Sequence, residues 1–243
     1  MSIGILSCAS KKDILYFQDV EVLNLEKIEQ DFDPIIETND ILYITISSMN
    51  EEVLQPFLRN QMQIQQTSSS NPGLDGYLVH NDGTISFPVL GDLEVGGKSR
   101  DEIETILKEK LSQFVKDVVV DVRIMNFEIT VIGEVKMPGI YTIKDERVTL
   151  PEALALAGDL TEDGKRSTIT IVREENGVRK VAKIDYTQAD FFNSPYYFLK
   201  QNDLVYVEPS KKGVIKTGFV SDVTVVLSIV TVILSSIILI TNI

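Results

Sequence analysis

Few side chains in this 243-residue chain have the type and spacing to do chemistry. The first is Cys8, in MSIGILSCASKK. Ile5-Leu6-Ser7-Cys8 places an aliphatic residue three before the thiol, a small one directly before it and a polar stretch after it. That is the pattern of a lipobox, in which a signal peptidase cuts ahead of a cysteine that takes a diacylglycerol. An incidental cysteine near a terminus is the plain alternative. Seven residues precede Cys8 and none is Lys or Arg, whereas a signal peptide needs a positive start and about 7–15 apolar residues. Lipidation therefore carries the expectation that the true start lies upstream of Met1. As the one cysteine, Cys8 allows no internal disulfide.

His80 is the one histidine. A zinc site would have to draw mostly on carboxylates, and a Ser-His-Asp set would have no other base. A surface histidine at a hairpin edge is the simpler reading. GDLEVGGKS (Gly91–Ser99) resembles a phosphate loop, but the Walker pattern places four residues between its first Gly and its Gly-Lys pair. Here five separate Gly91 from Gly97. Asp101, Glu102 and Glu104 sit where acidic groups favour a helix dipole, with no catalytic role required. No catalytic residue, cofactor or metal is expected, so the chain does not read as an enzyme. With 36 Asp+Glu against 23 Lys+Arg and a net charge of −13, nucleic acid is excluded as the main partner, because phosphate binding needs a basic surface.

The remaining polar series lies in the tail FVSDVTVVLSIVTVILSSIILITNI. Ser221, Thr224, Ser228, Thr231 and Ser235 are spaced 3, 4, 3 and 4 apart, and Asn242 follows seven residues later. On a helix these form one stripe. The 21 residues Val220–Ile240 would rise about 31 Å as a helix, enough for a bilayer core. Three uses fit the stripe. The hydroxyls can bond back to their own i−4 carbonyls, they can pack against another helix, or they can face a water-filled lumen. Spacing alone leaves these open.

The elements needed to position such residues are legible in pattern. Apolar residues make up 44% of the chain, enough for a packed core. IIETNDILYITI (Ile35–Ile46) reads as a strand, Gln61–Gly73 as a polar loop, and Asn81-Asp82-Gly83 as the turn of a hairpin. Ser99-Arg100-Asp101-Glu102 is a capping box opening a helix to about Phe114, with Ile103, Ile106, Leu107 and Leu111 on its apolar face. Val118, Val120, Val122 and Ile124 alternate as in a strand. Thr149-Leu150-Pro151-Glu152 is a second capping box, closed by Gly158. Thr168–Arg173 and Val178–Ile184 flank an Asn176-Gly177 turn, and Asp203–Pro209 is the last strand before the tail. The soluble part is mixed α+β and strand-rich, in two units joined near residues 126–128.

In this order the motifs resemble the bacterial polysaccharide-export family. Its D-G-x-I-x-x-P-x-x-G hairpin is matched by Asp82, Gly83, Pro88 and Gly91, followed by a helix and the Val118-Val120-Val122 strand. Its opening Gly-Asp pair appears as Asn39 and Asp40. VIGEVKMPGIYTI resembles the start of the soluble-ligand-binding β-grasp (SLBB) module, with Gly133, Glu134, Pro138 and Gly139 in place. The module's Ala-Gly-Gly turn appears as Ala157, Gly158 and Asp159.

The resemblance implies an α+β fold. Residues 1–33 would be a lipoprotein tether, 34–126 the export domain, 127–209 one SLBB domain and 210–243 a C-terminal transmembrane helix. It also implies an outer-membrane ring of identical copies that passes a capsular or exopolysaccharide chain. In such a ring the tail helices form a pore lined by the hydroxyl stripe, and an inner-membrane co-polymerase with a tyrosine kinase meets it from below. The alternative is an inner-membrane, tail-anchored β-grasp module that binds a soluble ligand or partner, oriented by Lys211, Lys212 and Lys216.

Overall fold

The computed structural model describes residues 15–19, 21, 32–58, 76–175, 177–211, 214 and 223–241, with side chains in the last segment described for 227–240. The first unit is built on β1 (Ile41–Ser47), which lies between β2 (Tyr77–Leu78) and β5 (Val119–Ile124) in an antiparallel sheet. Val118, Val120, Val122 and Ile124 are all buried, so the alternation read from sequence marks the core face. A short helix α1 (Glu51–Leu54) follows β1, and β3 (Thr84–Phe87) pairs with β4 (Gly91–Glu94) as a hairpin.

Helix α2 (Arg100–Leu111) covers β5 and buries Ile103, Leu107 and Leu111. Its capping box is formed: Ser99 Oγ accepts from the Glu102 N–H at 3.3 Å, and Glu102 Oε2 accepts from the Ser99 N–H at 2.8 Å. Gly91–Ser99 is thus a strand, a turn and an N-cap.

The strand expected from Ile35 begins instead at Ile41. Thr38 and Asn39 form a turn in which Asn39 takes φ +70°, and Ile35 makes an isolated bridge to Ser99. The helix expected to reach Phe114 ends at Leu111, with Ser112 as C-cap. Phe114 leaves the helix to pack on Phe57, ring centroids 5.6 Å apart.

The second unit is a five-stranded sheet in the order β10-β9-β12-β6-β7. These strands are β6 (Glu128–Gly133), β7 (Gly139–Thr142), β9 (Gly164–Glu175), β10 (Val178–Ile184) and β12 (Leu204–Pro209). The β12–β6 pair is parallel and every other neighbour is antiparallel. Two-residue strands β8 (Val148–Thr149) and β11 (Phe198–Leu199) pair beside it. Helix α3 (Leu150–Leu156) starts at the Thr149–Glu152 capping box and ends ahead of Gly158, at φ +75°. The buried apolar residues form one cluster through both units, with Phe127 at the join. The C-terminal helix α4 runs Val223–Thr241.

Candidate functional site

The residues that organise the molecule gather where the two units meet. Asp40 is 1% exposed in the turn before β1. Its Oδ2 accepts from the Glu37 N–H at 2.8 Å, and its Oδ1 accepts from Gln201 Nε2, in the second unit, at 3.0 Å. The same Gln201 nitrogen donates to the Asn126 carbonyl at 2.8 Å, while Gln201 Oε1 accepts from the Glu128 N–H at 3.2 Å. Asn126 sits between β5 and β6 and is held from the other side. Its Oδ1 accepts from the Ile41 N–H, and its Nδ2 donates to the Asn39 carbonyl. Backbone and side chain of the connector are therefore stapled to both units.

Burial pushes the Asp40 carboxyl up to about 6, against the lowering effect of the Glu37 N–H and with the Glu37 charge adding to the rise. Burial also raises Glu37, opposed by the charge of Lys200. A second seam contact runs from Arg100, at the start of α2, to Glu146, in the turn between β7 and β8, at 4.0 Å. Burial raises Glu146 as well. Among the described residues neither Arg100 Nε nor Glu146 Oε2 has a hydrogen-bond partner. A groove of about 350 Å³ opens at the seam, lined by Phe32, Ile35 and Phe127 with Glu37, Glu175 and Lys200 among its polar groups.

Gln201 is aimed by a turn that an ion pair locks. Arg173 on β9 and Asp203 are 5% and 0% exposed. They meet in a two-pronged contact, Nε to Oδ1 at 2.9 Å and Nη2 to Oδ2 at 2.6 Å. Asp203 Oδ2 also accepts from the Lys200 N–H at 2.8 Å, and Arg173 Nη2 donates to the Phe198 carbonyl at 3.0 Å. Such a fork satisfies both charges within a dry site.

Residues 15–19 dock on the second unit, although the first follows them in sequence. Tyr16 Oη donates to Asp159 Oδ1 at 2.8 Å, Gln18 N to the Thr187 carbonyl, and Ala189 N to Asp19 Oδ1 at 2.6 Å. Phe17 lies in an aromatic cluster with Tyr186, Phe191 and Phe192. Burial, with the Asp159 hydrogen bond, pushes the Tyr16 phenol up to about 12, so it remains a donor.

Two family descriptions match the two units in this order. Residues 29–125 match "Polysaccharide biosynthesis/export protein" and residues 128–207 match "SLBB domain". The chain belongs to the polysaccharide-export family. It is similar to a protein of Ralstonia solanacearum named EPS I polysaccharide export outer membrane protein EpsA, 31% identical over 180 residues, 72% of this chain and 47% of that protein. The protein of the same name from Ralstonia nicotianae is 34% identical over 144 residues, 57% of this chain and 38% of the relative. The chain thus spans about half the length or less of these relatives. The family is one of transport components and not of enzymes.

In this chain the motif residues make turns. Asp82 Oδ1 accepts from Thr84 N and Oγ1, and the Gly83 carbonyl accepts from Val95 N and Gly96 N. Pro88 precedes Val89 and Gly91, both at positive φ, in the turn joining β3 to β4. The base of this hairpin reaches the seam, since Val79 N donates to the Asp40 carbonyl at 2.8 Å.

Gly133 has φ +92°, and a Cβ there would lie 2.2 Å from the Val207 carbonyl oxygen. Glu134 Oε2 accepts from Thr161 Oγ1 at 2.6 Å. Pro138 and Gly139 lead into β7, where Tyr141 Oη donates to the Met137 carbonyl. Asp159, standing where the family has its second Gly, takes φ +71° and is the residue that binds Tyr16.

The structure brings Asp40 to Gln201 but gives no such meeting to the hairpin and SLBB glycines. Asn126, Glu146 and Tyr16 carry no motif, and Gln201 lies in LKQNDLVYVEP, a stretch similar to the closing strand of the SLBB module, with nothing in it to mark this role. Only the position of Asn126 at the join of two strand patterns could have marked one of them.

Cys8, Ser221 and Asn242 lie outside the described residues, as does the polar loop over Gln61–Gly73 and the side chain of Thr224. In α4, Thr231 and Ser235 donate to the carbonyls four residues back, Leu227 and Thr231, each at 2.7 Å. Ser228 is exposed beside them. The span expected over Val220–Ile240 begins outside the described residues, and among the described residues no helix is long and apolar enough to cross a membrane.

Proposed function

We propose that this chain is a subunit of an outer-membrane apparatus that exports exopolysaccharide. The observation that carries this reading is the pairing, in order, of an export unit and an SLBB unit in a chain similar to proteins named as polysaccharide export outer membrane proteins.

The finer reading is a ring of identical copies in which α4 helices stand side by side around the exit path. Cys8 would be its lipid anchor, and an inner-membrane co-polymerase with its kinase would be the partner below. Support for the ring comes from α4 itself. In one copy Leu227, Ile233, Leu239 and Ile240 are 56%, 53%, 68% and 74% exposed, an apolar surface that other copies or lipid must cover. Ser221, Thr224, Ser228, Thr231, Ser235 and Asn242 would then face the lumen, where uncharged groups bind sugars weakly. The back-bonded hydroxyls of Thr231 and Ser235 favour a second reading, in which the stripe is a packing face and the tail a plain anchor.

Electron microscopy of the full chain extracted in mild detergent tests both. Closed rings in end-on averages, with a narrow crown lost on removing Phe219–Ile243, support the channel. Single particles of one chain would overturn it and leave an anchored module.

A further inference from the structure

Building on the ring reading above, we propose that the tip of the β3–β4 hairpin docks on a second copy of this chain, against the open edge of β10 in that copy's SLBB unit. The tip is shaped around Val89. The Leu90 N–H donates to the Pro88 carbonyl at 2.8 Å, two residues back, and Val89 between them takes φ +66°. This is a γ-turn of the rare, strained hand, and a β-branched residue is an outlier in the left-handed region. Glycine or asparagine would enter that turn at lower cost.

The side chain responsible for this strain is 61% exposed. Its neighbours are anchored: Phe87 and Leu93 are buried, and Leu90 packs against the core. The hairpin is thus held firmly while its most strained residue faces solvent. Strain at a residue whose side chain its own fold leaves uncovered points to use by something outside that fold.

Charge selects the receiving surface. From His80 to Glu94 the hairpin carries Asp82, Asp92 and Glu94, all exposed, and no Lys or Arg. Asp82 and Asp92 accept from the hydroxyls of Thr84 and Ser86, and Glu94 lies 3.7 Å from Lys98. An acidic knob with an apolar tip fits a cationic surface with apolar side chains at its centre. Strand β10 has that character. It is an edge of the five-stranded sheet and carries Arg179, Lys180 and Lys183 with no acid. Val178 and Val181, both exposed, lie among them. The three cations lean on Glu174, Glu175 and Glu208 of β9 and β12, yet Arg179 and Lys183 remain mostly exposed. Exposed ion pairs are worth little and can exchange partners. The opposite edge, β7, has no charged residue from Gly139 to Thr142 and offers the acidic hairpin no complement.

The hairpin tip and β10 belong to different units, and both are exposed within one copy. Their contact between copies therefore joins unlike faces. Such contacts run head to tail and close into a ring when the rotation allows, whereas contacts of like faces stop at a dimer.

The test uses the full chain in mild detergent, with Cys8→Ser in every variant. Val89→Cys and Val181→Cys are made in separately tagged chains, mixed before assembly and treated with a short bis-maleimide. Val119→Cys, exposed on β5 and outside both faces, replaces Val89→Cys as the control. The expected result is a product bearing both tags for Val89 with Val181, and little for the control. Val89→Gly removes strain and knob together. It should leave the urea midpoint of the units unchanged or raised, yet weaken association of copies by roughly tenfold, the worth of one buried valine side chain. Asp92→Lys with Glu94→Lys should weaken it too, and adding Arg179→Glu with Lys183→Glu should restore it. Oligomers that form without the cross-link, or that are indifferent to Val89→Gly or to the hairpin charge reversal, overturn the proposal and leave the ring reading standing. Copies that stay single overturn both.

Discussion

In the two folded units Leu107, Val131 and Ile171 are fully buried, whereas in α4 Leu239 and Ile240 stay 68% and 74% exposed. Both regions are rich in aliphatic residues, and both use regular hydrogen-bonded backbone. What differs is the partner. In the units the core-facing apolar residues meet an element of the same chain, as those of α2 meet β5. The described part of α4 is exposed on all sides. The stability of the units is therefore internal, and that of the tail must come from outside one copy. Substitutions of the same kind should behave differently in the two regions.

The largest effect is expected at Arg173. Arg173→Ala leaves Asp203 buried and unpaired and should cost about 3–5 kcal/mol, read as a lower urea midpoint for the SLBB unit. Next comes a matched pair that would break the comparison if it failed. Leu107→Ala should cost about 2–5 kcal/mol by leaving a cavity, while Leu239→Ala should leave the urea midpoint of the units unmoved. An equal loss from both would mean that α4 packs on the units. Ser99→Ala should cost about 1 kcal/mol through loss of the N-cap of α2, measured by the same denaturation. Tyr16→Phe, which deletes the bond to Asp159, should cost about 1 kcal/mol and should speed proteolysis of the N-terminal residues. The smallest effect is expected from Ser235→Ala. Its hydroxyl is bonded within its own helix, so unfolding of the units should not change, and any change in oligomer size would assign the stripe to packing.

Local rules recovered what depends on near neighbours. Both capping boxes form because Ser99 and Thr149 meet a Glu three residues on, and Val118 to Ile124 alternate because one face meets α2. The start of β1 was misplaced because Asn39 spends its left-handed conformation on a turn that cuts the apolar run at Ile35. Phe114 follows the helical period, yet it gains more from Phe57 than from another turn of helix. The seam was hidden for a different reason. Gln201 and Asp40 are 161 residues apart, and nothing local marks a glutamine as the residue that joins two units. Asp159 read as a departure from a glycine turn, and its use for Tyr16 depends on a segment 143 residues earlier.

That docking of Tyr16, Gln18 and Asp19 on the SLBB unit has a mechanical consequence. The chain touches the second unit, leaves to build the first, and returns through Asn126. Tension applied between the N-terminal residues and Pro209 would pass through the docked strap and the β12–β9 sheet. The export unit lies off that load path, as a closed loop carried beside it. Only after the strap had been peeled away would the pull reach β1 and the seam. Stretching a single molecule should therefore release the strap as a first short step, ahead of either unit.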